Sequence, residues 1–267
     1  MEQLYVFGTG NAHAVECYNT CFAIRKQDEY FMVDAGGGNG ILKILRRMQV
    51  DTAQIHHLFV SHAHTDHVLG VVWLLRIVAQ RMAETNDYDG ELHVYCHAEL
   101  SDVLHTLCKL MISKKARRML DKRILFHVVQ DGEQQEILGN QVTFFDIGST
   151  KMKQFGWTMR LSDGKIVCFA GDEPLQPELE HYAEGADWLL HEAFCCYEDR
   201  ERFRPYEKNH STAKDACALA HRLGVKRLVL WHTEDSDLAH RRERYSAERG
   251  AFDGELYLPM DREILAL

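Results

Sequence analysis

The chain has 267 residues, of which 46% are hydrophobic and 27% charged, and its 31 Lys+Arg against 40 Asp+Glu give a formal net charge of −9. This composition excludes a disordered, low-complexity or collagen-like chain, and the acidic balance argues against a protein that coats nucleic acid by bulk charge. No apolar run approaches the ~18 residues that span a bilayer, and the first residues lack a secretory signal, so we predict a cytoplasmic protein without a membrane partner.

Strands alternate with amphipathic helices along the chain. Short runs rich in Val, Ile, Phe and Tyr, separated by Gly, Asp or Asn, predict the strands. These are Leu4–Thr9, Asn19–Lys26, Tyr30–Ala35, Ile55–Ser61, Leu92–Cys96, Ile124–Val129, Val142–Ile147, Trp157–Leu161, Ile166–Ala170, Trp188–His191 and Arg227–Trp231. The predicted helices are Gly40–Met48, Leu69–Ala83, Leu100–Ile112, Pro177–Glu184, Thr212–Leu223 and Ala239–Arg249. No linker or break in composition divides this pattern, so we predict one domain, residues 1–267, with packed sheets and helices outside.

The first chemical motif directly follows the predicted strand Ile55–Ser61. It is His-x-His-x-Asp-His, formed by His62, His64, Asp66 and His67. From the composition, roughly 0.004 chance occurrences are expected in a chain of this length, so unrelated surface histidines are a poor explanation. His62 and His64 lie two apart on an extended segment and can bind one ion from the same side, while Asp66 and His67 can reach a second ion.

Imidazole and carboxylate ligands suit zinc, with manganese or iron as alternatives. Two such ions about 3.5–4 Å apart could activate a bridging hydroxide and stabilise a leaving oxygen. Further ligands must then come from elsewhere in the chain. Asp172 and His232 each follow a predicted buried strand, and the carboxyl ends of strands are where ligand sites gather in α/β sheets. The sequence therefore predicts that these residues converge on the His62–His67 segment.

These residues resemble the motifs of the metallo-β-lactamase superfamily, and within it the ribonuclease Z-like group. The matching segments run in family order along nearly the whole chain. They are Phe7-Gly8-Thr9-Gly10, His62-Ala63-His64-Thr65-Asp66-His67, Phe155-Gly156-Trp157, Gly171-Asp172, His191-Glu192-Ala193, His210-Ser211-Thr212-Ala213 and His232. The resemblance implies an α/β (α+β) fold, a four-layer αβ/βα sandwich of two mixed sheets with helices outside and a dinuclear metal site.

The resemblance also implies a ligand set for each ion. One set is His62, His64 and Asp172; the other is Asp66, His67, Asp172 and His232. Two Zn²⁺ ions are expected, with one ion as an alternative.

Catalytic roles follow from the same resemblance. Asp66 accepts a proton, and His210, held by Glu192, protonates the leaving oxygen. A carboxylate that holds an imidazole raises its basicity and fixes its tautomer, which agrees with this role. Because neighbouring residues in a strand face opposite ways, we assign Glu192 to the site and His191 to packing.

Two departures from the family pattern affect the metal and the substrate. Thr150 stands where relatives place a further histidine ligand, so the first ion binds more weakly or is absent. Three states remain open: a dinuclear site with water in the gap, a working mononuclear site, and a decayed site. The long Gly- and Pro-rich arm with which ribonuclease Z grips transfer RNA has no counterpart between Gly70 and Gly171.

The sequence thus predicts a metal-dependent hydrolase that cleaves a phosphodiester, RNA or smaller, through metal-activated hydroxide. Alternatives are hydrolysis of another ester, such as a sulfate ester or cyclic nucleotide, and a catalytically impaired metal-binding protein. The expected partner is an anionic ester, with RNA as one candidate, and the resemblance implies a homodimer.

Overall fold

Two seven-stranded mixed sheets contain all fourteen strands of the computed structural model, which describes residues 2–267. The chain divides into two units that alternate along the sequence. Unit 1 contains the residues up to Gly8 together with Asn19–Gln130 and Arg262–Leu267, and unit 2 contains Thr9–Tyr18 and Asp131–Asp261. Each unit therefore contains one of the two sheets.

The sheet of unit 1 has the strand order β14-β1-β2-β3-β4-β5-β6. Its strands are β1 (Gln3–Gly8), β2 (Cys21–Lys26), β3 (Glu29–Val33), β4 (Ile55–Phe59), β5 (Leu92–Cys96), β6 (Ile124–Val128) and β14 (Ile264–Ala266). Strands β3 to β6 pair in parallel, whereas β14, β1, β2 and β3 pair antiparallel. Parallel neighbours need crossover connections, and helices α1 (Gly40–Arg47), α2 (Thr65–Gln80) and α3 (Ala98–Met111) supply them in turn.

The sheet of unit 2 has the order β13-β12-β11-β10-β9-β8-β7. Its strands are β7 (Gln134–Ile137), β8 (Asn140–Asp146), β9 (Phe155–Arg160), β10 (Ile166–Phe169), β11 (Trp188–Glu192), β12 (Arg227–Trp231) and β13 (Glu255–Tyr257). Strands β10 to β13 are parallel and β7 to β10 antiparallel. The helices are α4 (Arg200–Phe203), α5 (Ala213–Arg222) and α6 (Arg241–Ala247).

Local sequence explains where the longest helix of unit 2 begins. The Thr212 hydroxyl accepts from the backbone N–H of Asp215, and the Asp215 side chain accepts from that of Thr212, which forms a capping box at the start of α5. The apolar face of α5 packs into a core of unit 2 in which Leu189, Leu228 and Leu230 are fully buried or nearly so. Burying each such side chain contributes roughly 1.5–3 kcal/mol.

Most predicted elements are confirmed, two of them to the residue, namely Leu92–Cys96 and Arg227–Trp231. The prediction missed the short strands β7, β13 and β14. Segment Pro177–Tyr182 is a 3-10 helix where an α-helix was predicted, and α2 begins at Thr65, four residues before the predicted start. All eight cysteines are free thiols. None of the helices within residues 2–267 is long and apolar enough to cross a membrane.

Candidate metal centre

The motif histidines of unit 1 leave the carboxyl end of β4 and enter the first turn of α2. We call His62, His64, Asp66 and His67 the unit 1 cluster. His62 Nε2 lies 2.8 Å from His64 Nδ1, so these two nitrogens converge on one point. Asp66 Oδ2 lies 3.3 Å from His67 Nε2. His62 and His67 are buried, which keeps both rings in fixed orientations.

Asp34 orients His67 from below. Its Oδ2 accepts a hydrogen bond from His67 Nδ1 at 2.8 Å, and its two oxygens also accept from the backbone N–H and the hydroxyl of Ser61. With the proton on Nδ1, the His67 lone pair is on Nε2, the nitrogen beside Asp66. The sequence prediction missed Asp34. The signal was its position next to last in the predicted strand Tyr30–Ala35, two residues before Gly36.

A glycine fixes α2 against the loop that carries Asp34. The backbone N–H of Gly70 donates to the carbonyl of Gly36 at 2.7 Å. A Cβ at Gly70 would lie 1.8 Å from the carbonyl oxygen of Ala35, so only glycine permits this approach. The close contact holds the first turn of α2, and with it Asp66 and His67, over the end of β3.

The predicted residues of unit 2 also lie at or near strand ends. We call Asp172, Glu192, His210 and His232 the unit 2 cluster. The ligand atoms of Glu192, His210 and His232 all lie within 4.8 Å of one another. Asp172 Oδ2 lies 3.5 Å from His232 Nε2, so the fourth residue joins the same group.

The Glu192 side chain is fully buried and serves two neighbours. Oε1 accepts from the backbone N–H of Ser211 at 2.6 Å, and Oε2 faces His210 Nδ1 at 3.4 Å. The His210 ring stacks on Phe194 with centroids 4.8 Å apart, which fixes its plane. His191 points elsewhere: its Nδ1 contacts the Glu192 carbonyl and its Nε2 accepts from the Leu175 N–H. His191 is thus occupied by backbone groups, as its predicted packing role requires.

Asp172 is clamped by Gln154, a residue that the sequence prediction missed. The Gln154 amide donates to Asp172 Oδ1, and its Oε1 accepts from the Asp172 backbone N–H at 2.7 Å. Gly171 has φ +86°, and a Cβ there would lie 2.3 Å from Gln154 Oε1. Gln154 directly precedes the Phe155-Gly156 pair, which was the available signal.

Thr150 is exposed in the loop between β8 and β9, and Gln154 of that loop is the residue that contacts Asp172. The buried carboxylate of Glu173 secures the same loop by accepting from the Ser149 hydroxyl at 2.7 Å. Its other oxygen accepts from the Asn209 amide at 2.5 Å, directly before His210. Glu173 therefore ties the loop to the segment that carries His210.

The donor atoms of both clusters fit divalent metal ions. They are imidazole nitrogens and carboxylate oxygens, the ligands that zinc and related ions prefer. Two nitrogens bound to one tetrahedral ion at 2.0–2.1 Å stand about 3.3 Å apart. The 2.8 Å between His62 Nε2 and His64 Nδ1 is close to that separation. Within unit 1, the nitrogens of His62 and His64 are therefore close enough to bind one ion.

Comparison with known proteins gives one family and a consistent fold. The sequence model of a family described as "Anti-Pycsar protein Apyc1" matches residues 2–248. Among curated proteins, a Ribonuclease Z of Phocaeicola vulgatus is 25% identical over 276 residues, which cover 86% of each chain.

Two solved structures show the same fold over their full lengths. The metallo-β-lactamase fold protein YhfI from Bacillus subtilis has a TM-score of 0.76 at 16% identity and covers 100% of both chains. The short form of human tRNase Z has a TM-score of 0.74 at 20% identity and covers 99% of this chain and 98% of its own. The two mixed sheets with helices therefore match the metallo-β-lactamase α/β fold, which confirms the predicted fold class.

Proposed function

The chain belongs to the anti-Pycsar protein Apyc1 family, and with this membership as the premise we propose that its substrate is a small phosphodiester, such as a cyclic nucleotide. It is a ribonuclease Z-like, metal-dependent phosphodiester hydrolase. The observation that carries the proposal is the group Glu192, His210 and His232, which places a buried carboxylate and its imidazole beside a predicted metal ligand. A proton donor in that position would assist the departure of a poor leaving oxygen.

We assign the ligands in two sets, as the family resemblance implies. His62, His64 and Asp172 hold one ion, and Asp66, His67, Asp172 and His232 hold the other. When bound, two divalent cations would polarise the phosphoryl group and activate water for attack. Their positive charge would outweigh the carboxylates of Asp66 and Asp172, which favours an anionic substrate.

The chain's own residues handle the protons. Asp66 accepts a proton from the attacking water, and His210 donates one to the leaving oxygen. Glu192 Oε2 lies 3.4 Å from Nδ1 of His210, so the ring can present its other nitrogen to the substrate. The hydrogen bond from Ser211 keeps the Glu192 carboxylate in place during this transfer.

The connections of the fold support a small substrate. We compared the segments that connect consecutive α-helices and strands within the described residues between α2 and β10. The longest is residues 112–123, which include the 3-10 turn Ala116–Met119. An extended arm that could grip transfer RNA would need a longer insertion. The net charge of −9 also disfavours a long polyanion. Transfer RNA and sulfate esters are the alternative substrates.

Thr150 is exposed and stands where relatives place a histidine ligand. The occupancy of the ion bound by His62, His64 and Asp172 is therefore the main variable of the proposal. A Thr150→His variant would restore the ligand type of relatives. A large gain in metal affinity and activity would mark the natural site as impaired and favour the metal-binding alternative. Unchanged activity with two ions per chain supports the working dinuclear centre.

We further propose a single-domain cytoplasmic protein that forms a homodimer. Eight free thiols suit a reducing compartment, and the homodimer follows the family resemblance. Size-exclusion chromatography with light scattering tests the dimer.

Steady-state hydrolysis tests the proposed function. Purified protein loaded with Zn²⁺ or Mn²⁺ is expected to hydrolyse bis(p-nitrophenyl) phosphate and 3′,5′-cyclic nucleotides, and to leave a precursor transfer RNA intact. His67→Ala should abolish both activities, whereas His181→Ala, at an exposed position of unit 2, should keep them. Cleavage of the RNA in preference to the small esters would overturn the substrate assignment.

A further inference from the structure

Three histidines share one face of the unit 1 sheet, away from the unit 1 cluster. They are His57 on β4, His93 on β5 and His127 on β6. His57 pairs with His93 across β4 and β5. On β5, Tyr95 lies two residues after His93 and pairs with His127 on β6. Because alternate residues of a strand point to the same face, all three imidazoles lie on one side. Strand β6 is the last in the sheet order, so the group lies at a sheet margin.

The nitrogens of this group are spaced like those of the predicted ligands. His93 Nδ1 lies 2.9 Å from His127 Nε2, against 2.8 Å for the His62–His64 pair. Opening the gap by a few tenths of an ångström gives the ~3.3 Å between two nitrogens on one tetrahedral ion. The His57 ring stacks on His93 with centroids 5.4 Å apart, which places a third imidazole beside the pair.

The surroundings favour a cation. The His57 ring is half-buried beside the pair, and its Nδ1 lies 3.2 Å from the Tyr95 hydroxyl. Glu91 Oε2 lies 3.9 Å from His93 Nε2, and Glu29 lines the same open cleft. The Arg123 guanidinium, which also lines the cleft, donates to the backbone carbonyls of Tyr88 and Gly90.

We propose that His93 and His127, with His57 beside them, bind a divalent transition-metal ion of the zinc class. This ion is separate from the catalytic ones, because His57 and His62 are five steps apart on extended backbone, about 16 Å of chain. Nitrogen donors select zinc, nickel or copper over magnesium and calcium. The histidine site needs neither ion of the proposed hydrolase. The proposal of this site and the proposed function can therefore be tested independently.

Metal counting tests the proposal on the full chain. Protein dialysed against Zn²⁺ and analysed by inductively coupled plasma mass spectrometry should carry one ion more than the His127→Gln variant. Hydrolysis of bis(p-nitrophenyl) phosphate should be equal in both. The matched control is His105→Gln. The His105 ring packs on Phe126, which precedes His127 on β6 and therefore points to the opposite face of the sheet. This control should keep the wild-type count.

Two results would overturn the proposal. One is an equal ion count in the wild type and His127→Gln, which would mean that His93 and His127 are only a hydrogen-bonded pair. The other comes from the unaltered protein and does not depend on a variant that folds: Zn²⁺ titration followed by NMR should shift the ring nitrogens of His93 and His127, and unshifted resonances would exclude the ion.

Discussion

The two clusters of predicted site residues are built in opposite ways. The unit 1 cluster takes four side chains from one six-residue segment after β4, and Asp34 beneath them fixes the His67 ring. The unit 2 cluster collects single residues from three strand ends and one loop, and each needs its own support. A compact motif depends on one rigid turn, whereas a dispersed one depends on many separate hydrogen bonds. Substitutions should therefore disrupt the first all at once and the second piece by piece.

Among substitutions that leave the predicted metal ligands in place, the largest effect is expected from His210→Ala, which removes one member of the dispersed cluster. General acid catalysis contributes roughly 10²–10⁴-fold, so hydrolysis of a cyclic nucleotide should fall by about that factor. Hydrolysis of bis(p-nitrophenyl) phosphate should fall much less, because p-nitrophenolate leaves without protonation. Steady-state kinetics on both substrates measures the contrast. Equal losses on both would show that His210 serves binding or folding instead.

Gly70→Ala probes the rigid turn beneath the compact cluster. The new Cβ would meet the Ala35 carbonyl, and relief of that clash should cost about 3 kcal/mol of the free energy of unfolding. Urea denaturation measures the loss, and metal binding should weaken with it. Gly38→Ala is the matched control, since a Cβ there meets nothing within 4 Å. A stable Gly70→Ala protein would show that α2 can shift without harm.

The smallest effect is expected from Gln154→Leu, which removes one support of the dispersed cluster. Loss of a partner that orients a metal ligand costs roughly 10–100-fold in metal affinity, and we expect the lower end because Asp172 also lies beside His232. Asp34→Asn in the compact cluster should lie at the upper end, since it disturbs His67 and Ser61 together. Isothermal titration with Zn²⁺ compares the two. A larger loss for Gln154→Leu would reverse the contrast between the clusters.

The compact cluster was also easier to predict from the sequence than the supports of either cluster. The His62–His67 motif could be recognised because its ligands lie within six residues after an apolar strand. Asp34 and Gln154 are harder to recognise, since they act on residues 33 and 18 positions away, and only the fold brings those pairs into contact. The start of α2 was placed too late because Asp66 and His67 interrupt its apolar period. Strands β13 and β14 have three residues each, too few to show alternation.

Backbone geometry adds a consequence at two of these positions. Asp34 and His232 both have left-handed φ angles, 53° and 55°. This region costs most residues roughly 1–2 kcal/mol, and glycine and asparagine adopt it more readily than histidine. In each unit, orienting one functional side chain therefore lowers the free energy of unfolding. A variant selected only for heat tolerance should accumulate Gly or Asn at His232 and lose its chemistry as it gains melting temperature. Asp34 should be retained, because its buried oxygens accept hydrogen bonds from Ser61 and His67.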